Sequence, residues 1–476
     1  MGMLRLSDAP AAPAGASYRP LLSSAHVGFT TFALFTVFAG NFWRNLIGWY
    51  AWGAIVVAII VVSIIWIVRA GLIHRLRHLP LALLAFVAYA LASSLWSHWP
   101  LETLLGSLVL WLTIIIALPL AAVVSWEELL VSFSAAMRWI VGLSLAFELV
   151  VATIIRHPVL PVYITGTTVE DAPLMVLWSR NLLFVDGKIQ GILGNSSMLA
   201  YVALLGLIAL GVQYAARRID RVPAIIWAVL LVGTLALTRS ATTIIAGVAV
   251  LAVLIIVLIR RKLVSRAARA GFALGVVVVA AVAAIAASAF WTQLLALFGK
   301  RSDLTGRVEI WHNVIGLAVQ RPAFGWGWLG YWPPWVEPLG SLNKRWGVFQ
   351  LHAHDAWIDL WMQVGIVGLV IFALVVLTTV LRGLYSSTHR VWHVTGRRLE
   401  FSAVTLLPIL VMTMLLVQSI TESRFLVEEG LLMLCILAIK LKLDPFLHEE
   451  PRSTVIDRRA LARTARATPK VPVRSR

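Results

Sequence analysis

The chain contains very little cysteine and few charged side chains. Among its 476 residues there is one cysteine, Cys435, which excludes a disulfide framework or a cysteine-rich zinc site within one chain. Charged residues make up 13% of the sequence, about half the share that soluble globular proteins have. The sequence has neither a P-loop nor a dinucleotide fingerprint, and we therefore expect no nucleotide cofactor.

Apolar residues dominate the composition. They account for 60% of the chain, and the mean hydropathy is +0.89. Apolar runs of roughly 18 residues or more predict membrane-spanning helices, whereas a β-barrel would show shorter alternating segments. We predict an all-α polytopic integral membrane protein with about 12 transmembrane helices. The predicted spans are 27–43, 47–68, 80–96, 103–124, 137–155, 197–214, 223–238, 241–259, 271–292, 356–380, 401–420 and 428–442.

The distribution of positive charge predicts the orientation. Lys and Arg concentrate in alternate short connections, which the positive-inside rule assigns to the cytoplasm, and the net charge of +18 then reflects contact with anionic lipid rather than nucleic acid. Both termini are expected in the cytoplasm, as a disordered tail at 1–26 and a basic tail at 443–476, flanking a membrane domain at 27–442. Two extracytoplasmic loops follow, at about 156–190 and 300–355, the larger with short helices.

The larger loop, 300–355, gathers cations, imidazoles and many tryptophans between long apolar spans. ATP and nucleotide sugars are not available outside the cytoplasm, so chemistry in this loop requires a substrate that was activated and exported beforehand. A lipid-linked diphosphate is such a substrate. We therefore expect an anionic, sugar-like or lipid-linked substrate in an outward-facing cavity covered by this loop.

Arg307 is the first candidate for binding a diphosphate. A guanidinium offers a planar, bidentate set of donors for phosphate. Arg307 also stands at the predicted N-terminus of an amphipathic helix at 308–319, which is itself a favourable place for phosphate. Glu309 is a candidate for orienting Arg307 or the substrate. The alternative is that Arg307 forms a surface salt bridge with a nearby Asp or Glu.

His354 is the candidate base. An acceptor hydroxyl must lose its proton as it attacks an anomeric carbon, and histidine is the side chain best suited to that near neutral pH. Asp355 and Asp359 are close enough in sequence to orient the imidazole. The spacing of His352, His354 and Asp355 also permits a metal site. Because the sequence shows no further ligand cluster, we expect no metal and a non-catalytic role for His352.

Charged residues in or beside the predicted spans are few, and each is costly enough in a membrane to suggest a role. Glu148, Arg239, Glu422 and Arg424 all tend toward the outer side, where they can converge with the outer loops on one cavity. Lys188 precedes the sixth span near the same face. The alternative for each charge in the spans is snorkelling or local pairing.

Four stretches together resemble the O-antigen ligase/polymerase superfamily of bacterial membrane glycosyltransferases, including its exopolysaccharide polymerase-like members. They are Gly191–Ala200, Thr238-Arg239-Ser240-Ala241, Leu304–Trp311 with Arg321-Pro322-x-x-Gly325-x-Gly327, and His354-Asp355 with Gly365-Ile366-Val367-Gly368-Leu369. The resemblance covers about residues 185–430. Two positions depart from it: Asp355 stands where the family commonly has Asn, and Lys188 stands in place of a clear upstream Arg.

The resemblance implies metal-independent transfer of a glycan from an undecaprenyl-diphosphate-linked oligosaccharide to an acceptor glycan or lipid. The reaction would take place at the outer face of the bacterial cytoplasmic membrane, during cell-surface polysaccharide biosynthesis. By position, His354 would activate the acceptor hydroxyl and Arg307 would hold the diphosphate. The other implied residues are Arg239 and Lys188 as diphosphate contacts, and Glu309, Asp355 and Glu422 as supporting groups.

Two other classes of function stay open. A transporter or flippase for polysaccharide units would carry charged residues in both halves of the membrane, whereas those found here are sparse and biased outward. A non-catalytic component that assembles with other polysaccharide-assembly proteins would not require Arg307, Arg239 and His354 to converge. Ligase and polymerase differ only in the acceptor, and the motifs do not separate them.

Overall fold

The structure is a computed structural model, and it describes residues 22–185, 187–290, 293, 307–342, 344–345, 348–389 and 401–445. Contacts group Ser24–Leu447 into one compact unit. The first helix begins at Ser24, inside the predicted N-terminal tail. The rest of that tail, most of the basic tail at 443–476, and the signature residues Leu304-Thr305-Gly306 lie outside the described residues.

Helices form almost all of this unit, so the predicted all-α class is confirmed. The α-helices are α1 (Ser24–Phe38), α2 (Gly40–Arg69), α3 (Leu81–Ala92), α4 (Pro100–Ala122), α5 (Trp126–Val150), α6 (Ser196–Ala215), α7 (Arg221–Thr238), α8 (Ala241–Lys262), α9 (Arg266–Ala289), α10 (Arg307–Ala318), α11 (Leu339–Leu342), α12 (Ala356–Thr388), α13 (Leu406–Ser419) and α14 (Glu428–Leu443). A π-helical turn, Val151–Ile155, extends α5. A short antiparallel ribbon pairs β1 (Lys344–Arg345) with β2 (Val348–Phe349).

Within the described residues, seven helices are long and apolar enough to cross a membrane: α2, α4, α5 with its π-turn, α6, α7, α8 and α12. The bent pair Leu72–His78 and Leu81–Leu95 is an eighth candidate. Each predicted span falls on a helix, but α1, α13 and α14 have only 15, 14 and 16 residues. A straight crossing needs about 20 residues, so the polytopic architecture stands and the count of about 12 stays a prediction.

The helix α14 lies in the interior of the bundle. Thirteen of its residues, Glu429 to Leu441, are buried, and it packs against α4, α12 and α1. A helix that is apolar all round is expected to be enclosed by its neighbours. Its one buried lysine, Lys440, donates to the carbonyl oxygens of Ala121 and Val124 at the end of α4. A cation at that position satisfies carbonyl groups that a helix C-terminus leaves without partners.

The turn that follows α10 is hydrogen-bonded to a break in α12. The break lies at Gly365, where the backbone is not helical. Backbone hydrogen bonds of 2.8 to 3.1 Å join the two segments, with N–H groups of Trp326, Gly327, Ile366 and Val367 donating to carbonyls of Met362, Gln363, Pro322 and Ala323 respectively. The carbonyl and amide groups that the broken helix leaves without partners are therefore satisfied by the loop.

Glycine is required on both sides of this junction. Gly365 has a φ of 66°, and a Cβ there would lie 2.3 Å from the carbonyl of Ala323. Gly325 has a φ of 71°, and its Cβ would lie 2.5 Å from the carbonyl oxygen of Gln363. Residues with a side chain rarely adopt such φ values, and a Cβ does not fit at such short distances from backbone atoms. The two glycine motifs seen in the sequence are therefore the two halves of one backbone contact.

We predict that Gly365→Ala lowers the free energy of unfolding by at least about 2 kcal/mol, because it adds both backbone strain and a clash with backbone atoms. Thermal melting in detergent checks this. Gly316→Ala is the matched control, since Gly316 lies in α10 with no heavy atom within 4 Å of the added Cβ. Equal melting temperatures for both variants would contradict the requirement for glycine at the junction.

Candidate active site

One carboxylate joins the two principal candidates from the sequence. Glu422 Oε1 accepts a hydrogen bond from Arg307 Nη2 at 2.8 Å, and Glu422 Oε2 lies 3.1 Å from His354 Nδ1. The three side chains are 17% to 24% exposed, so they are mostly buried yet reachable. Glu422 is 115 positions from Arg307 and 68 from His354. The structure therefore brings Arg307, His354 and Glu422 together, while the convergence of Arg239 with Arg307 and His354 stays a prediction.

Three separate elements place these side chains. Arg307 is the first residue of α10, which buries Ile310 and Val314 in an apolar cluster beneath the outer loop. His354 lies in the turn immediately before α12. Glu422 follows α13, where its N–H donates to the carbonyl of Gln418 at 2.9 Å. Packing of α10 and α13 against α12 therefore brings the ends of three elements to one point.

The turn that carries His354 is held through its neighbour Ala353. The Ala353 N–H donates to Asp359 Oδ2 at 3.1 Å, and the Ala353 carbonyl accepts from Trp311 Nε1 at 3.1 Å. Asp359 is fully buried and also accepts from Trp332 Nε1 at 3.0 Å. The sequence offered Asp359 as a group that orients the imidazole, but it holds the backbone beside the imidazole.

His354 has an unusual backbone and hydrogen bonds at both ring nitrogens. Its φ is 55°, and its N–H donates to His352 Nδ1 at 3.1 Å. Left-handed residues other than glycine are uncommon and concentrate at functional sites. The Glu422 carboxylate only accepts, so Nδ1 carries a proton. Gln350 Oε1 lies 3.2 Å from Nε2, and both N–H groups of a protonated ring therefore have acceptors.

The charges of the cluster follow from burial and from neighbouring groups. Burial raises the pKa of Glu422, but hydrogen bonding and charge from His354, with His352 and Arg307, outweigh it and lower this pKa to about 2. Burial, together with the charge of His354, lowers the pKa of His352 to about 3. At neutral pH Glu422 is therefore a carboxylate and His352 is a neutral imidazole.

Two carboxylates expected to support the site do not contact Arg307 or His354 through any hydrogen bond described for them. Asp355 precedes α12, and its Oδ1 accepts from the N–H groups of Trp357 at 2.9 Å and Ile358 at 3.0 Å. It is an N-cap, and burial raises its pKa while those bonds oppose the rise. Glu309 is exposed on α10, two residues after Arg307, and residues at that spacing face different sides of a helix. The carboxylate partner of Arg307 is Glu422 instead.

The remaining predicted cations lie at helix ends. Arg239 ends α7 in a left-handed conformation with a φ of 49° and is exposed. Lys188 is exposed in the segment before the turn Gly191–Leu193. That turn leads into α6, which packs along α7, so the turn and Arg239 lie at the same end of this helix pair. The distance of Arg239 and Lys188 from a substrate stays a prediction.

Glu148 pairs locally, as the alternative reading from the sequence allowed. It is buried, and its Oε1 accepts from the N–H groups of Gln190 at 2.9 Å and Gly191 at 2.7 Å. Its Oε2 accepts from the hydroxyl of Ser179 at 3.0 Å. Glu148 therefore fixes the glycine turn before α6, and Asn195 caps that helix.

A second ionic cluster lies beside the first. Arg424 Nη1 donates to Glu428 Oε2 at 2.9 Å and to Glu429 at 3.2 Å, and Arg44 Nη1 donates to Glu428 Oε1 at 3.1 Å. This cluster connects α2 and α14 to the segment that carries Glu422. The sequence pointed to Arg424 but not to Arg44 as a candidate. An arginine flanked by Phe42 and Trp43 is a signal that could have marked it as buried.

Among the described residues, the one group of histidine and acidic side chains close enough to hold a metal ion is His352, His354 and Glu422. Their ligand atoms all lie within 4.8 Å of one another. The sequence had suggested Asp355 as the carboxylate of such a site, but Asp355 is committed to capping α12. Glu422 occupies that place instead.

The fold and the site together define a polytopic α-helical membrane protein with a clustered arginine, histidine and glutamate. Residues 226–373 match the family model described as O-Antigen ligase. The exopolysaccharide production protein ExoQ of Rhizobium meliloti (strain 1021) is 31% identical over 91 residues, an alignment that covers 18% of this chain and 20% of that relative. The resemblance to the O-antigen ligase-like superfamily is confirmed for this segment, and the aligned part spans about a fifth of the length of ExoQ. Arg239, Arg307 and His354 lie inside the matched segment, and Glu422 lies outside it.

The Glu422 ion pairs predict a specific pH dependence of stability. The pKa of Glu422 is lowered from 4.5 to about 2 in the folded protein, so its contribution is fully present above pH 4.5 and is lost as the pH falls toward 2. Between pH 5 and pH 3, wild-type protein should lose about 2 kcal/mol more unfolding free energy than Glu422→Gln. Denaturant unfolding in detergent at each pH measures the difference. Parallel curves would contradict the assignment.

Proposed function

We propose that the protein transfers a glycan from an undecaprenyl-diphosphate-linked donor to an acceptor at the outer face of the bacterial cytoplasmic membrane. The observation that carries the proposal is the Glu422 carboxylate shared between Arg307 and His354. Glycan transfer from a diphosphate requires positive charge at the leaving group and a base at the acceptor, held at a fixed distance. One rigid carboxylate sets that distance here.

Arg307 stabilises the leaving diphosphate. Negative charge develops on the oxygen that leaves the anomeric carbon, and a guanidinium already in place stabilises it without reorganisation. Glu422 holds Arg307 through Nη2, and a guanidinium has five N–H donors, so others are available to phosphate oxygens. Arg239 and Lys188 contribute further contacts to the diphosphate in this proposal, with the lipid tail entering laterally between helices.

His354 activates the acceptor. With Nδ1–H directed at Glu422, the neutral ring presents the Nε2 lone pair to the acceptor hydroxyl. The hydroxyl proton moves to Nε2 as the acceptor oxygen bonds the anomeric carbon. The bond from that carbon to the diphosphate breaks, and undecaprenyl diphosphate leaves with the electron pair. Gln350 then accepts a hydrogen bond from the new Nε2–H. Because Arg307 supplies the positive charge that stabilises the leaving diphosphate, we propose that the transfer is metal-independent.

The position of the site supports an extracytoplasmic reaction. The three residues stand beside the larger loop and at helix ends, where a headgroup and a soluble glycan can both reach them. The proposal includes both termini in the cytoplasm and contacts with other polysaccharide-assembly proteins. The convergence of Arg307 and His354 on one carboxylate argues against a purely non-catalytic component. It also argues against a transporter, which would need charge distributed through the membrane.

We predict that Arg307→Ala and His354→Ala each lower the rate of transfer by at least about 10²-fold, because each removes a group that acts in the transition state. Both variants should insert and fold, as judged by far-UV circular dichroism and size-exclusion chromatography. Arg156→Ala and His312→Ala are matched controls, since both side chains are exposed, and they should retain wild-type rates. Wild-type turnover in either test variant would remove that residue from the mechanism.

The reaction itself is tested with purified protein in lipid and native undecaprenyl-diphosphate glycan, with EDTA present. Release of undecaprenyl diphosphate coupled to longer chains identifies a polymerase, and release coupled to a glycan on another anchor identifies a ligase. Movement of the lipid-linked glycan across the bilayer without release would overturn the enzyme proposal in favour of a transporter.

A further inference from the structure

We propose that His352, His354 and Glu422 bind a borderline transition-metal ion such as Zn²⁺, and that the bound ion blocks transfer. The three residues offer two imidazole nitrogens and one carboxylate oxygen, all within 4.8 Å. The two imidazole rings have centroids 4.1 Å apart. Binding of the ion stands on this geometry alone, whereas the blocking effect rests on the proposed function.

The geometry suits zinc. Tetrahedral ligands about 2.0 to 2.1 Å from zinc lie roughly 3.3 Å from one another. His354 Nδ1 and Glu422 Oε2 are already 3.1 Å apart, close to that separation, and the ion displaces the Nδ1 proton to Nε2, where Gln350 Oε1 can accept it. The third ligand atom must move by about 1 to 1.5 Å, through rotation of its side chain, to complete the site. Calcium and magnesium prefer larger sets of oxygen ligands, which disfavours both here.

The backbone limits how far the two histidines can separate. Ala353, which lies between them, is bound on both sides by Asp359 and Trp311. In the metal-free protein the His354 N–H donates to His352 Nδ1, which keeps the two residues close, and the ion takes the Nδ1 lone pair in place of that N–H. His354 and Glu422 are 22% and 17% exposed, so a hydrated ion can reach them. A partly open site of three protein ligands leaves a fourth position for water or an anion.

The ion and Arg307 compete for the same carboxylate. Arg307 Nη2 is 2.8 Å from Glu422 Oε1, and a doubly charged ion on Glu422 repels the guanidinium. The ion also coordinates the imidazole that the proposed reaction uses as its base. Metal binding and transfer are therefore mutually exclusive at this site. Removal of the Arg307 charge should strengthen metal binding, which distinguishes this site from surface histidines.

The binding test uses full-length protein in detergent, stripped with EDTA and then freed of chelator. Zn²⁺ is titrated against a chromophoric chelator, and Co²⁺ is added separately to record its d–d absorption. We expect one high-affinity Zn²⁺ per chain, affinity at least about tenfold weaker in His352→Ala, and unchanged affinity in His312→Ala. Arg307→Gln should bind several-fold tighter. Equal affinities for wild type, His352→Ala and Arg307→Gln would overturn the site, as would an octahedral Co²⁺ spectrum in wild type.

The inhibition test uses the transfer assay. Zn²⁺ should inhibit wild-type protein and EDTA should restore its rate, whereas His352→Ala should resist Zn²⁺ at the same concentration. Equal inhibition of both proteins would overturn the blocking effect. If metal-free wild-type protein shows no transfer activity, that result counts against the proposed function. The Zn²⁺ titration and the Co²⁺ spectrum still decide whether the metal site exists.

Discussion

A single shared carboxylate organises the end of the helix bundle at which Arg307 and His354 lie. Glu422 is bonded to a guanidinium on one oxygen and to an imidazole on the other, and both partners hold its pKa at about 2 despite burial. A buried carboxylate held between a guanidinium and an imidazole N–H has few alternative arrangements, because loss of Arg307 leaves its charge uncompensated. The loop that carries Arg307 and the turn that carries His354 are thereby fixed to the segment after α13.

The support around this carboxylate consists mainly of backbone contacts. Asp359 accepts from the Ala353 amide and Trp311 donates to the Ala353 carbonyl, and the turn after α10 completes the hydrogen bonding of the broken helix α12. The neighbouring cluster of Arg44, Arg424 and Glu428 links the same segment to α2 and α14. Such connections hold side chains within the small tolerances that transfer chemistry requires.

The sequence predicted the helices and named Arg307, His354 and Glu422 as site residues, but it did not single out Glu422 from Glu309 and Asp355 as their shared partner. Apolar runs located helices at every predicted span, but composition cannot show where a helix stops, so α13 was expected to be longer than its 14 residues. Glu309 and Asp355 were chosen because they are close in sequence, whereas the partner of Arg307 and His354 is contributed by a distant helix end. Asp355 stands directly before an apolar run, which is the position of an N-cap.

The break in α12 affects more than the shape of one helix. His354 lies immediately before α12, and the turn after α10 is hydrogen-bonded to the α12 backbone at the break. The site therefore cannot move along the membrane normal unless α12 tilts. A membrane of different thickness changes the tilt of a spanning helix at modest energetic cost. The diphosphate of a lipid donor remains at headgroup level. If the substrate is the proposed lipid-linked diphosphate, bilayer thickness sets the height of the imidazole relative to it, and the lipid becomes a determinant of the rate of transfer.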